Sequence, residues 1–199
     1  MVAVDTVLFA INDTRLQTYL VELRRGPGRG RWAFPGGLVR VGELLDDAAR
    51  RELYDSTGLR GAYLEQLFTF GDPSRDPRAH VVSVAYMALI PDVKAVSASC
   101  EKYANGKWYE VTRLPQLAYD HSLMAAYAVK RLKSKLEYTN IAYALLPKEF
   151  TFAEFVTRFQ CALASGANAI GLPFDGINAR AGTGRAGEVP VTPSPDQGN

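Results

Sequence analysis

The order of apolar and polar residues predicts an alternation of strands and helices. Apolar runs at 2–11 and 16–23, joined at Asn12-Asp13, are typical of a β-hairpin. Three apolar residues then recur every four positions and favour a helix with one buried stripe, namely Leu45, Ala49 and Leu53. Further strands are predicted at 62–70, 80–90 and 107–111, and a second helix at 122–137. This order predicts an α/β sandwich built around a mixed sheet.

The ends of the first helix carry residues that suit those positions. Asp46 and Asp47 fall in its first turn, where carboxylates complement the positive end of the helix dipole. Gly58 is placed for a left-handed cap at the other end. Three polar side chains share the flank beside the stripe because they are spaced three and four residues apart: Glu52, Asp55 and Ser56. Grouped carboxylates repel unless a cation lies among them, and Mg²⁺ is suited to such oxygen ligands. The alternative is a charged helix face that meets water.

The spacing of this segment resembles the Nudix box, G-x5-E-x7-R-E-U-x-E-E-x-G-U, where U is aliphatic. The matching positions are Gly37, Glu43, Arg51, Glu52, Leu53, Gly58 and Leu59. The chain departs from the pattern at the adjacent acidic pair, which here is Asp55-Ser56. Asp55 is one methylene shorter than Glu, and Ser56 replaces a charge with a hydroxyl.

The resemblance implies a Nudix α/β/α sandwich with a mixed sheet over residues 1–138. It also implies a site for Mg²⁺ (or Mn²⁺), with Glu52, Asp55, Ser56 and the Gly37 carbonyl as ligands. Glu52 would be the principal metal ligand, Glu43 would lie close to the metal, and Arg51 would orient the carboxylates, so that these three are the catalytic residues. Because losing a base or misplacing a metal-bound water costs roughly 10²–10⁴-fold in rate, the two departures predict binding with slow hydrolysis.

Features on either side of the box extend the resemblance to the branch of the family that handles ADP-ribose. The segment 32–37, W-A-F-P-G-G, leads into the box as it does in many family members. Residues 64–78 then supply a candidate aromatic for stacking on a base and two candidate arginines for phosphate or ribose: Phe70, Arg75 and Arg78. Arg31 belongs to a glycine-rich loop at 24–31 with four arginines, which could close over an anion. A polar turn and a solvated loop are the alternatives.

The C-terminal part resembles the Nudix-related transcriptional regulators up to about residue 164. Residues 139–164 are predicted to form a partial winged-helix-like segment, in which Thr151 and Glu154 have the spacing of a capping box. A second, basic recognition helix would be needed to enter the major groove, and the pattern does not predict one. Residues 165–199 are rich in glycine and proline and are predicted to be a disordered tail, replaced or truncated relative to the regulators.

Composition narrows the classes of protein. The net charge of +2 is too small to argue for nucleic-acid binding, and two isolated histidines do not predict a zinc site. Two cysteines without a disulfide framework suit a reducing compartment. No apolar run approaches ~20 residues and the first residues lack a basic leader pattern, so a cytoplasmic location is predicted.

Three functions remain open at this point. The first is a Mg²⁺-dependent hydrolase of a nucleoside diphosphate linked to another moiety, with ADP-ribose favoured. The second is an ADP-ribose-responsive DNA-binding regulator with a degenerate box, and the third is a decayed member with the fold alone. Ser56 favours the regulator, and the lack of a predicted recognition helix favours the hydrolase, which we place slightly ahead. The resemblance also makes a homodimer an expectation.

Overall fold

The computed structural model describes residues 1–97 and 102–168. Within these residues the chain forms a seven-stranded mixed sheet with the central order β3-β2-β1-β6-β5, while β4 pairs with β1 and β7 pairs with β2. The strands are β1 (Val2–Asn12), β2 (Arg15–Leu23), β3 (Trp32–Ala33), β4 (Gly36–Leu38), β5 (Tyr63–Phe70), β6 (Val82–Leu89) and β7 (Tyr103–Glu110). β1 and β6 are parallel, whereas β1 is antiparallel to β2 and β4. The predicted mixed-sheet α/β fold is therefore confirmed.

The central strand β1 is covered on both faces, which explains its long apolar run. Val7, Phe9 and Ile11 lie in the core on one face, where helices α2 (His121–Tyr138) and α3 (Phe152–Asn168) pack. Val4 and Leu8 point to the other face, which is covered by α1 (Leu45–Thr57). Because side chains alternate along a strand, one strand supplies both cores of the sandwich.

The box helix α1 has the predicted ends. Asp46 and Asp47 are in its first turn, and Gly58 caps it with a φ of 73°, the left-handed conformation that glycine adopts without strain. Ala49 and Leu53 are buried as the stripe predicts, whereas Leu45 is only partly buried. The helix is thereby held to the sheet edge that β4 and β1 form.

The hairpin between β1 and β2 turns one residue later than the sequence predicts. β1 continues to Asn12, which pairs with Arg15, so the turn is Asp13-Thr14 and not Asn12-Asp13. Both turn residues have positive φ, 45° and 62°. β7 is also longer than predicted because it begins at Tyr103, and this extension brings its first residues to the box.

The C-terminal described segment packs on the α2 face of the sheet. A short 3₁₀ helix (Asn140–Leu145) follows α2, and a second one (Val93–Ala95) follows β6. The predicted capping box at the start of α3 is confirmed: Thr151 N donates to Glu154 Oε2 at 2.7 Å, and Glu154 N donates to Thr151 Oγ1 at 3.2 Å. Since α3 continues to Asn168, four residues of the predicted tail belong to this helix.

The rest of the predicted tail, 169–199, lies outside the described residues, so its disorder stays a prediction. The division at residues 138 and 164 also stays a prediction. Among the helices of residues 1–97 and 102–168, none is both long enough and apolar enough to cross a membrane.

Candidate functional site

Two glycines let two carboxylates reach the same short strand from opposite sides. Gly36 and Gly37 lie in β4, which pairs with β1 through Asp5 and Val4. A Cβ on Gly36 would overlap the Asp5 carboxylate, and a Cβ on Gly37 would overlap the Glu52 carboxylate. The glycines are therefore required for close approach, as the box resemblance implies.

Arg51 joins the two box glutamates. Its Nε and Nη2 donate to the two carboxylate oxygens of Glu43 at 2.6 and 2.8 Å, and its Nη1 donates to Glu52 Oε1 at 2.6 Å. The Arg51 guanidinium and the Arg40 backbone N–H lower the pKa of Glu43 to about 2. Glu43 and Glu52 therefore both bind the Arg51 guanidinium, while the catalytic roles of these three residues stay predictions.

Lys102 contacts the other oxygen of Glu52. Its Nζ lies 2.5 Å from Glu52 Oε2 and 2.5 Å from the Gly36 carbonyl oxygen. The next residue, Tyr103, is buried, and its hydroxyl donates to the same carbonyl at 3.0 Å. Burial opposes the charge of Lys102, but Tyr103 and Glu52 outweigh it and raise the pKa of this ammonium. Sequence reasoning missed both residues, because nothing local marks a lysine 50 positions after Glu52 as its partner.

Neither of the two departures from the box pattern has a hydrogen bond to the Glu52 carboxylate. Ser56 is buried, and its Oγ donates to the backbone carbonyl of Glu52 at 2.6 Å, within the helix. Asp55 is exposed. Nowhere in the described residues do three or more His, Cys, Asp or Glu side chains group so that they could hold a metal ion.

This donor set does not fit a divalent cation. Mg²⁺ binds carboxylate, carbonyl, water and phosphate oxygens at ~2.0–2.1 Å. An ion on Glu52 Oε2 or the Gly36 carbonyl would therefore meet the Lys102 ammonium, which already lies 2.5 Å from both oxygens. Ser56 donates its proton to the helix, and Asp55 faces solvent. The metal-ligand roles of Glu52, Asp55, Ser56 and Gly37 stay predictions.

A second ionic network lies on the other side of Gly36. Arg75 is buried and donates to Asp120 with Nε and Nη2 at 2.9 and 2.7 Å, and its Nη2 is 3.8 Å from Asp5 Oδ2. His121 Nδ1 accepts from the Phe34 N–H at 2.9 Å, and burial lowers the pKa of this histidine. Arg75 thus ties the loop after β5 to the start of α2 and to Asp5 of β1, and His121 ties α2 to the segment between β3 and β4.

The predicted ligand-binding residues have different environments. Phe70 is buried and packs against Phe68 and Tyr127, with ring centroids 5.3 and 6.2 Å apart. Arg78 is 57% exposed and pairs with Asp76 at 2.6 Å. Arg31 is exposed in the loop before β3.

These environments favour a packing role for Phe70 and for the buried Arg75. They leave Arg78 and Arg31 accessible to an anion. All four assignments to ligand binding stay predictions.

The sequence profile of the NUDIX domain matches residues 2–130. The ADPR responsive transcriptional repressor NtrR of Acinetobacter baylyi is 32% identical over 82% of this chain and 66% of its own length. The match thus spans just under two thirds of that repressor. An ADP-ribose pyrophosphatase of Methanocaldococcus jannaschii is 32% identical over 60% of this chain and 68% of its own length.

Solved structures of NrtR from Shewanella oneidensis resemble this fold. The protein without DNA is 30% identical with a TM-score of 0.74, covering 91% of this chain and 84% of NrtR. The complex with a 27mer DNA superposes with a TM-score of 0.73 at 30% identity, covering 90% of this chain and 81% of that one. The NUDIX domain of Shewanella oneidensis NrtR in complex with ADP ribose is 34% identical with a TM-score of 0.61, covering 66% of this chain and 88% of that domain.

The depressed pKa of Glu43 predicts how stability depends on pH. Because the folded-state pKa, about 2, is below the ordinary value of 4.5, the Arg51–Glu43 interaction stabilises the fold fully above about pH 4.5. It is lost as pH falls towards about 2. We therefore expect Glu43→Gln to lower the free energy of unfolding at pH 6, and the difference from the unmodified protein to shrink between pH 4.5 and 2.

Urea denaturation across this pH range measures the effect. Glu137→Gln, at an exposed glutamate near the end of α2, is the matched control. A difference for Glu43→Gln that stays constant down to pH 2 would contradict the assigned interaction.

Proposed function

This chain belongs to the Nudix family, and on that basis we propose that the site around Gly37 and Glu52 binds a nucleoside diphosphate, with ADP-ribose the favoured ligand. We also propose that the protein senses this ligand more than it consumes it. The sensing role is supported by the contacts of the Glu52 carboxylate. Arg51 and Lys102 each bind one of its two oxygens, while the Ser56 hydroxyl donates to the helix backbone.

Accessible cations near the box and the preceding loop support binding of a diphosphate. Lys102 is 43% exposed, and Arg78 is 57% exposed. Arg78 Nη1 also lies near Gly26 of the arginine-rich loop, 3.6 Å from where a Cβ on that glycine would be. Arginine suits phosphate because its planar fork makes two parallel charged hydrogen bonds. A loop at 24–31 that closes on Arg78 would surround an anion with positive charge.

The DNA-regulator role rests on the extent of the similarity. The match to the repressor of Acinetobacter baylyi covers 82% of this chain. It is therefore longer than the match to the Nudix profile, which covers residues 2–130. The described structure includes α3, which begins with a capping box and packs Phe155 and Phe159 toward the α2 core. We propose that α3 is the first helix of a DNA-binding unit.

Ligand binding is expected to raise the melting temperature. At a concentration of 100 Kd, a ligand specific for the folded state adds about 2.7 kcal/mol to stability, which corresponds to roughly 5–10 °C for a domain of this size. ADP-ribose should give this shift in differential scanning fluorimetry, and AMP, which lacks the diphosphate, should give a smaller one. An absence of any shift with ADP-ribose, NAD, sugar nucleotides and nucleoside triphosphates would refute the proposed ligand class.

If the protein is a DNA-binding regulator, its affinity for DNA should fall as salt concentration rises, and it should change when ADP-ribose binds. Contacts between basic side chains and phosphates release counterions, so the logarithm of the affinity should fall linearly with the logarithm of salt concentration. Fluorescence anisotropy with promoter fragments, with and without saturating ADP-ribose, measures both effects. Equal anisotropy with and without protein at the lowest salt would argue against the regulator role.

A hydrolase is the second candidate, and the intact Arg51–Glu43–Glu52 cluster favours it. Nudix hydrolases generally use divalent metals, and we propose Mg²⁺ or Mn²⁺ for this role. A divalent ion would have to reach Glu52 in place of the Lys102 contact. The pyrophosphatase of Methanocaldococcus jannaschii shows that the family likeness extends to enzymes.

Turnover separates the two candidates. The hydrolase candidate predicts slow release of AMP from ADP-ribose with Mg²⁺, and Ser56→Glu should then raise the rate because it restores a carboxylate one helical turn from Glu52, whereas a ligand sensor predicts no release above background. Glu52→Gln should reduce any genuine rate by roughly 10²–10⁴-fold, whereas Glu137→Gln should leave it unchanged. AMP release that survives Glu52→Gln would show that the hydrolysis does not occur at the box.

A further inference from the structure

Lys102 lies beside Glu52, where the resemblance to the Nudix box implies a metal ion. We infer that the Lys102 ammonium is the resident cation of this Nudix box and contacts the diphosphate of the ligand directly, so that binding needs no divalent ion. This inference rests on the proposed function, because it names the group that would recognise the ligand.

The coordination of Nζ is the first argument. The ammonium contacts Glu52 Oε2 and the Gly36 carbonyl, which are a carboxylate and a backbone carbonyl of the two elements that make the box. Both are hard oxygen donors of the kind that Mg²⁺ takes in proteins. Lys102 therefore occupies the place between β4 and α1 where a cation is needed to balance the buried Glu52.

The balance of charge is the second argument. Two carboxylates, Glu43 and Glu52, meet two cations, Arg51 and Lys102, in direct contact. This group leaves no excess negative charge to draw in a divalent ion. An anionic ligand, by contrast, is attracted to the Lys102 ammonium, which Glu52 and the Gly36 carbonyl already hold in position.

The exposure of Lys102 is the third argument. Its ammonium contacts Glu52 and the Gly36 carbonyl, and the Tyr103 hydroxyl is also within hydrogen-bonding reach. The side chain is nonetheless 43% exposed, so a phosphate oxygen can approach the ammonium from solution.

The anchoring of Lys102 is the fourth argument. Tyr103, the adjacent residue, is buried, and its hydroxyl donates to Gly36 O while accepting from Gly36 N at 3.2 Å. Tyr103 also pairs with Leu23 in the sheet. The backbone that carries Lys102 is therefore held against the box independently of its charge.

The chemical consequence is retention of the ligand. A bound divalent ion lowers the pKa of a coordinated water and generates a nucleophile, whereas an ammonium is a point charge that does not coordinate water in this way. With Lys102 as the cation, the site can hold a diphosphate without activating a water against it.

Isothermal titration calorimetry with the unmodified chain tests the inference without any mutation. ADP-ribose is titrated in EDTA and again with Mg²⁺ in large excess over the protein. We expect dissociation constants within about threefold of each other. Binding that occurs only with Mg²⁺ overturns the inference and leaves the proposed function standing, whereas no binding in either buffer refutes the proposed ligand class.

A matched pair of variants isolates the ammonium. Lys102→Gln removes the charge at the box, and Lys107→Gln removes an exposed lysine from β7, the strand that begins at the residue after Lys102. Lys102→Gln should weaken ADP-ribose at least about tenfold, as expected for loss of a charged hydrogen bond, while Lys107→Gln should bind as the unmodified chain does. Equal affinities for the two variants would overturn the inference.

A measurement without nucleotide keeps the inference testable even when ADP-ribose does not bind. Mn²⁺ binding is followed by electron paramagnetic resonance for Ser56→Glu and for the double variant Ser56→Glu/Lys102→Gln. We expect the double variant to bind Mn²⁺ at least about tenfold more tightly, because the ammonium no longer holds Glu52. Mn²⁺ affinities that do not differ, or tight Mn²⁺ binding by the unmodified chain, would show that Lys102 does not exclude the metal.

Discussion

The close approach at Gly36-Gly37 is the constraint on which the site depends. Without side chains at these two positions, the carboxylates of Asp5 and Glu52 lie against opposite sides of the β4 backbone. Burying two carboxylates is costly unless each is paired. The rest of the site consists of the groups that pair them: Arg51 and Lys102 at Glu52, and Arg75 with the Ser83 hydroxyl at Asp5.

These two networks share one strand but have different exposures. Glu52 pairs with a lysine that is 43% exposed, whereas Arg75 is 4% exposed and fully engaged by Asp120. The first network can therefore meet a ligand, and the second is suited to fix the loop after β5 and the start of α2. Through Arg75 the second network joins β1 to the start of α2, the helix against which α3 packs.

The sequence predicted the ends of helices correctly where those ends depend on residues close together in the chain. The cap at Gly58, the first-turn aspartates and the Thr151–Glu154 box depend on residues within one turn of each other, and the structure confirms all three. The hairpin turn was misplaced by one residue because Asn12 and Asp13 are both good turn residues, and strand pairing decided for Asp13-Thr14. The start of β7 was missed because Tyr103 and the residues after it lack a simple alternating pattern.

The sequence by itself determined the box helix and its ends, because these depend on residues within a few positions of one another, and its resemblance to the family implied that carboxylates gather around Arg51. Only the tertiary structure decided which cation faces Glu52 and which flank of α1 is buried. Ser56 lies on the side that Tyr103 and the sheet cover, while Asp55, one position away, turns to solvent. The physical reason is that a contact between residues 52 and 102 depends on where β7 joins the sheet, and that pairing is set by β2, far away in the chain.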